Sequence, residues 1–369
     1  MTAKSYDVII VGGGPAGIST ALHLIQQNES WAERILILEK DRHPREKLCG
    51  GALVPSGEQM LSDLGLSVSV PFVRVRENRM IFQELMLSSK QDTMFLVTRR
   101  DEFDAWLSAM ARERGAQIHE GEPVTSIDLG SDSVTVNTPS DQYSAKVLVG
   151  ADGSKGMTRG AVGLRDRGRV ARLLETLTPE RESSPEFLEQ FASFDFTPMT
   201  SGLQGYYWEF PSLIDGKPFM NRGVFDSRII SQRPHADLKG ILAERMAAHD
   251  RSLEDYDLKG HPLRWFNPDS AFNCPNVLLV GDAAGADPMV GEGISSAIGY
   301  GKLAAEIIVE AFAASDFSFE SYRDRLIKSP LGNNLLRKLM IAGIIYRDLG
   351  SDAWRKLWSE QRTVQSGGY

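Results

Sequence analysis

The sequence predicts an α/β fold: a parallel-sheet domain, discontinuous in the chain, that carries an inserted α+β domain and a helical C-terminus. Three observations predict it. Short apolar, β-branched runs at Asp7–Val11, Ile35–Leu38 and Asn276–Val280 have the pattern of strands buried on both faces. The first two flank a helical stretch, Ile18–Gln27, and so make a βαβ unit. Glycine-rich turns follow the first and the last of these runs, at opposite ends of the chain.

Composition sets the outer bounds. The chain has 369 residues, 42% hydrophobic and 24% charged, enough for one large domain or two with a substantial core. Lys plus Arg is 41 and Asp plus Glu 49, so 41 − 49 = −8, which argues against nucleic acid as a partner. Two cysteines, Cys49 and Cys274, cannot build a disulfide framework, so a reduced, cytoplasmic setting is expected. The N-terminal residues lack a signal-peptide pattern, and no apolar run reaches the roughly 18 residues that suggest a span. The six histidines show no metal-ligand spacing, so no metal site is expected.

The elements then follow in order. Phe103, Trp106, Leu107 and Met110 recur at helical spacing from Arg99. Short alternating runs at Gln117–His119, Thr125–Leu129, Ser133–Thr138 and Ala145–Val149 predict an antiparallel meander on the sheet. Segments 71–97 and 200–230 also alternate like strands, and a helix is expected over Pro185–Ala192 within an otherwise unreadable 165–200. A long helix should run from Gly293 to about Ala313, with further helices beyond it. The predicted division is 1–70, 98–160 and 270–315 for the first domain, 71–97 and 161–269 for the inserted one, and 316–369 for the C-terminal segment.

Chemistry enters at Gly12, Gly14 and Gly17, a G-x-G-x-x-G between strand and helix. Gly12 permits the tight turn, Gly14 lets backbone approach a pyrophosphate, and Gly17 lets the helix pack on the strand. Pro15, Ala16 and Gly17 open the helix, whose N-terminus offers unpaired N–H groups and partial positive charge to phosphates. Glu39 lies 39 − 17 = 22 residues on, where a carboxylate takes ribose hydroxyls, with the cations Lys40 and Arg45 beside it. The pattern predicts a Rossmann-like dinucleotide site.

Near the other end, Gly281-Asp282 leads through Ala283, Ala284 and Gly285 to P-M-V-G-E-G-I, which resembles the second fingerprint of flavoproteins with the p-hydroxybenzoate hydroxylase fold. That resemblance implies FAD, with Asp282 on the ribityl chain and Pro288, Gly291, Gly293 and Ile294 passing beside the isoalloxazine ring. It also implies pyrophosphate contacts from Asp152 in V-G-A-D-G and from Arg100, and adenine contacts from the backbone at Val124. A solvated arginine at a helix start is the alternative for Arg100.

Two further motifs, Lys47-Leu48-Cys49-Gly50-Gly51-Ala52 and Tyr206-Tyr207-Trp208-Glu209-Phe210-Pro211, resemble the geranylgeranyl reductase family. The resemblance runs from residue 5 to about 312 and fades over 161–200. It implies a flavin-dependent reductase of carbon–carbon double bonds in a hydrophobic, isoprenoid substrate. Cys49, Gly50 and Gly51 would approach the ring, and Cys49, Tyr206 and Trp208 are the candidate catalytic residues, Tyr206 as an acid. The bland readings are a small residue in a tight loop for Cys49 and core packing for the aromatics. No second G-x-G-x-x-G occurs, so electrons are expected from transient NAD(P)H or a ferredoxin-like carrier. A flavin monooxygenase or halogenase is the alternative on the same scaffold. Finally, Tyr322–Tyr346 mixes basic and apolar residues in an amphipathic pattern, which allows weak peripheral membrane contact or packing on the protein's own core.

Overall fold

The structure is a computed structural model that describes residues 3–164, 166 and 170–347. The opening unit is β1 (Lys4–Val11), α1 (Pro15–Gln27), α2 (Trp31–Arg34) and β2 (Ile35–Glu39). There follow β3 (Ala52–Leu53), α3 (Pro55–Asp63), the hairpin β4 (Phe72–Phe82) and β5 (Leu85–Thr98), and α4 (Arg100–Glu113). Next come β6 (Gln117–Glu120), β7 (Ser126–Leu129), β8 (Val134–Asn137), β9 (Gln142–Gly150) and the turn α5 (Thr158–Ala161). The middle of the chain holds β10 (Val170–Pro179), α6 (Pro185–Leu188), β11 (Phe191–Asp195), β12 (Gly205–Ile214), β13 (Lys217–Asp226), α7 (Leu238–Ala247) and β14 (Lys259–Arg264). The last part is β15 (Asn273–Cys274), β16 (Val277–Leu279), α8 (Ile294–Ala314), α9 (Tyr322–Lys328) and α10 (Pro330–Ile345).

Two sheets result. The first runs β15-β16-β9-β1-β2-β6, with β7 and β8 attached to β9. Its centre is parallel, with Val8 opposite both Ile35 and Val147. Val8, Ile9, Ile10, Ile35 and Val147 are fully buried, as continuous apolar runs predict. The second sheet runs β14-β10-β13-β12-β11-β4-β5-β3 and is antiparallel apart from β11 beside β4. The chain thus crosses to the second sheet briefly at Ala52–Leu53 and again from Phe72, before returning to the first.

Two expected elements differ. Gln117–Glu120 does not belong to the meander; it pairs parallel with β2, because the chain crosses over through α4 and returns to the free edge of that strand. Alternation reports a half-buried strand but not the direction of its neighbour. The helix expected over Pro185–Ala192 stops at Leu188: Gln190 has φ 56°, a left-handed residue no helix continues through. Phe191 and Ala192 then enter a buried strand.

Part of the C-terminal apolar pattern is spent on packing. Leu326, Leu335, Ala342 and Tyr346 are buried, and Lys338 turns inward to Asp287. Met340 and Ile344 remain exposed at 61% and 66%. No described helix is long and apolar enough to cross a membrane. Residues 348–369 of the expected helical segment lie outside the described residues.

Candidate active site

The turn after β1 is built by steric necessity. Gly12 has φ +111°, and a Cβ there would sit 2.4 Å from the Ala151 carbonyl oxygen. Gly14 differs: its missing side chain would meet only the Arg45 guanidinium, at 3.5 Å, so the backbone is open on that side. The first turn of α1 carries no carboxylate to neutralise its partial charge.

Glu39 is 3% exposed and holds this turn. Its Oε2 accepts the Gly13 N–H at 2.7 Å and its Oε1 accepts the Asp41 N–H at 3.0 Å. Arg45 lies 3.6 Å from Glu39 and 3.4 Å from Asp104, spanning the two carboxylates. Asp104 also takes a bidentate pair from Arg100 at 2.8 and 2.9 Å, both side chains buried. Burial alone would lower the Arg100 pKa, but Asp104 and the Cys49 thiol outweigh it and raise it. Arg100 is therefore a buried, paired cation and not a solvated one. Asp104, four residues along the same helix, joins both arginines and was not singled out from the sequence. Lys40 points to solvent beside Asp41 and the structure does not bring it into this group. Val124 lies on the 121–125 connection, which the Glu122 N–H to Glu39 O bond ties to the end of β2.

At the same end of the first sheet, after β9, Asp152 Oδ2 accepts the Thr158 N–H and Oγ1–H, both at 2.8 Å, which fixes the α5 turn. Its Oδ1 is buried without a partner. Arg159 donates to the carbonyls of Ala283 and Ala271, and so locks the Gly281–Ala283 turn. The Asp282 carboxylate makes no hydrogen bond among the described residues and lies 3.5 Å from where a Gly293 Cβ would stand. α8 starts at Ile294 with Gly293 as its cap, but Glu292 takes the Ser295 N–H at 2.8 Å and part of the free amide capacity with it.

The two remaining motifs meet in space. Trp208 Nε1 donates to Asn221 Oδ1 at 2.8 Å, and Asn221 Nδ2 donates to the Cys49 carbonyl at 3.3 Å. Glu175 Oε1 accepts the Cys49 N–H at 3.2 Å, so the backbone on either side of Cys49 is held by the second sheet. Tyr206, Trp208 and Phe210 share one face of β12, as alternation predicts. They are 5%, 2% and 5% exposed and pack as a core cluster with Phe194 and Phe225. The Tyr206 hydroxyl donates to the Val290 carbonyl at 2.6 Å, and burial drives its pKa well above the usual phenol value. That proton is committed to backbone. Gly50 and Gly51 serve the close approach of the loop to the second sheet: a Cβ on Gly51 would meet the Thr98 carbonyl oxygen at 2.0 Å, and one on Gly50 the Phe210 ring at 2.9 Å. A cavity of about 800 Å³ opens beside the loop, lined among others by Lys47, Leu48, Arg99, Glu175, Phe219 and Tyr256.

An open glycine backbone at a helix start, a ribose-side carboxylate and a free Asp282 carboxylate at the far turn fit an adenine dinucleotide whose second half carries a ribityl chain. The buried, unpartnered Asp152 Oδ1 sits between them. The family model described as an FAD binding domain matches residues 5–212. The chain belongs to that family, and it is an FAD-dependent oxidoreductase. It is similar to the digeranylgeranylglycerophospholipid reductase of Thermoplasma acidophilum, 25% identical over 90% of this chain and 86% of that protein. Among solved structures it resembles a geranylgeranyl bacteriochlorophyll reductase-like protein from the same organism, with TM-score 0.77 and 23% identity over 93% of this chain and 88% of that one. It also shares its fold with the halogenase PltM, with TM-score 0.72 and 15% identity over 96% and 79% of the two chains. The expected flavoprotein fold is thus established.

Proposed function

We propose that this FAD-dependent enzyme reduces carbon–carbon double bonds in a hydrophobic, isoprenoid-type substrate. The carrying observation is the bridge Trp208–Asn221–Cys49, which ties the aromatic strand of the second sheet to the Cys49–Gly51 loop. That bridge holds the loop against the sheet, and the cavity beside the loop, lined by Lys47, Leu48 and Glu175, is where a substrate would lie. When bound, the flavin supplies two electrons to the substrate. Glu39 and Asp282 are its sugar-side acceptors, the Gly12–Gly17 backbone and α1 take the pyrophosphate, and the Pro288–Ile294 segment borders the ring. The lines of Tyr206, Trp208 and Phe210 shape and dry the floor beneath it.

The electron donor in this reading is NAD(P)H docking transiently or a small ferredoxin-like carrier. The exposed Met340 and Ile344, with Arg337 on the same stretch of α10, support a weak peripheral contact with an anionic membrane. The deciding experiment is anaerobic reduction with NADPH or dithionite, then incubation with a panel of prenyl lipids and mass spectrometry. Gain of two hydrogens supports the proposal. Gain of one oxygen or a halogen on admitting air, with no hydrogen addition, replaces it with the oxygenating chemistry of the alternative.

A further inference from the structure

Double-bond reduction consumes a proton as well as a hydride, and Tyr206 is bound to the Val290 carbonyl. The strand register points to another group. Across the second sheet Trp208 stands opposite Gly223, Gly223 opposite Glu175, and Glu175 opposite Lys259, so these four positions share one face. Gly223 leaves the space in the row that the Trp208 ring fills, its Cζ2 being 2.2 Å from where a Cβ would sit. Glu175 is therefore the next side chain beyond the indole. It reaches the Cys49 N–H with Oε1, while Oε2 is buried without a partner. Although only 5% exposed, Glu175 lines the cavity of about 800 Å³ beside that loop.

The charges around it do not neutralise it. Lys259 pairs with Glu46, and Lys47 donates to His261 Nε2 at 2.9 Å. Arg99 pairs with Asp101, and Asp255 and Asp257 bring further negative charge to the cavity wall. Among the described residues no cation stands within ion-pair distance of Glu175. A carboxyl taken out of water without a counter-ion keeps its proton.

We propose that Glu175 is the proton donor of this site, giving the proton on Oε2 to the substrate. The inference rests on the double-bond reduction proposed above. The O–H bond at Oε2 breaks as a C–H bond forms at one alkene carbon. The double bond's π pair forms that C–H bond, and the other carbon takes the second hydrogen together with two electrons, as the hydride that reduced flavin would supply. The carboxylate left behind takes its next proton from water in the cavity. Burial pushes the Glu175 pKa up to about 7, against the opposing pull of the Cys49 N–H, Arg99, Asn221 and Lys259. A donor poised near the working pH is the arrangement general acid catalysis favours.

E175Q separates holding from donating, because the amide oxygen can still accept the Cys49 N–H but carries no acidic proton. The first readout is independent of turnover: infrared difference spectra of wild type minus E175Q from about pH 5 to about pH 9, with and without flavin. A protonated-carboxyl band that fades with a midpoint near neutrality is expected. In single-turnover assays E175Q should lose about 10²- to 10⁴-fold in rate and lose the corresponding limb of the pH profile, with flavin affinity and KM retained. A Glu175 carboxyl already ionised at the acid end overturns the proposal, as does E175Q turnover equal to wild type. If the wild type itself adds no hydrogen to any prenyl lipid, the reduction reading fails and the donor role falls with it. Reduction by both proteins alike refutes the donor role alone.

Discussion

Glu39→Ala tests the nucleotide end of the site most directly. The carboxylate accepts two backbone N–H groups, from Gly13 at 2.7 Å and Asp41 at 3.0 Å, and is 3% exposed. Alanine leaves the buried Gly13 N–H unpaired and returns the N–H of the exposed Asp41 to water. Such a buried orphan costs about 1–3 kcal/mol, so the loop that must present its backbone to the pyrophosphate loses about that much support. Arg45 would keep only Asp104, at 3.4 Å, and would be free to swing over Gly14. If the lower figure falls wholly on binding, flavin affinity drops roughly fivefold. Quenching of flavin fluorescence on titrating the flavin-free protein measures this, with thermal melts of the flavin-free form as a control. An unchanged dissociation constant would refute the assignment of Glu39 as the organiser of this loop. A lowered melting temperature with unchanged affinity would show that the two N–H bonds serve the fold alone.

Four other outcomes follow from the geometry. Gly51→Val forces a side chain onto the Thr98 carbonyl at φ +80°, so it should perturb the flavin spectrum and the fold together; a normal spectrum and melt would contradict the tight β3–β5 contact. Burial pushes the Glu209 carboxyl up, but His249 and Arg222 outweigh it and hold it at about 2, below its ordinary 4.5. Its contribution is therefore complete above about pH 4.5 and lost as pH falls toward 2, and Glu209→Gln should flatten that limb of the stability curve. Glu209 raises the His249 pKa in turn, so that part is complete below about 6.5 and lost as pH rises through the folded value. Lys338→Met strips the cation from the fully buried Asp287 and should destabilise by about 3–5 kcal/mol in denaturant melts; an unchanged midpoint would show that the Met289 and Val290 N–H groups suffice. Flotation with anionic vesicles should show attachment that high salt removes, and attachment that survives it would exclude an electrostatic contact.

The readable parts of this site are those where backbone geometry dictates residue type. Gly12 must be glycine because of its φ and its distance from Ala151, whatever is bound, and Glu39 ends a strand whose position the apolar run already marks. The long helix after Gly293 was legible for the same reason: 21 residues of sustained period outweigh local ambiguity. Asp104 was not legible, because a carboxylate in a helix gains meaning only from the two arginines that fold against it. Glu175 and Asn221 lie on neighbouring strands whose register fixes which side chains meet, and residues 165–200 carry no pattern that reveals it. Tyr206 and Trp208 illustrate the converse. Alternation correctly put them on one face, yet it could not tell a packed floor from an open pocket.

The Pro288–Ile294 segment shows why the C-terminal helices belong to the site's construction. Three consecutive carbonyls accept hydroxyls from three separate elements. Ser227 after β13 donates to Pro288 at 2.5 Å, Tyr346 after α10 to Met289 at 2.7 Å, and Tyr206 on β12 to Val290 at 2.6 Å. The N–H groups of Met289 and Val290 turn to Asp287, which Lys338 of α10 neutralises at 2.7 Å. Every one of these donors is drawn from outside the first sheet, so the segment is held from the substrate side and from α10 at once. The backbone left unclaimed begins at Gly291, where the ring-side contacts of a flavin are expected. A peptide immobilised on one flank and open on the other spends little conformational entropy when its ligand arrives. On this reasoning α10 contributes to flavin binding through rigidity. A Tyr346→Phe variant that loses one tether should weaken flavin binding without altering any residue that touches it, and equal affinity would confine α10 to packing.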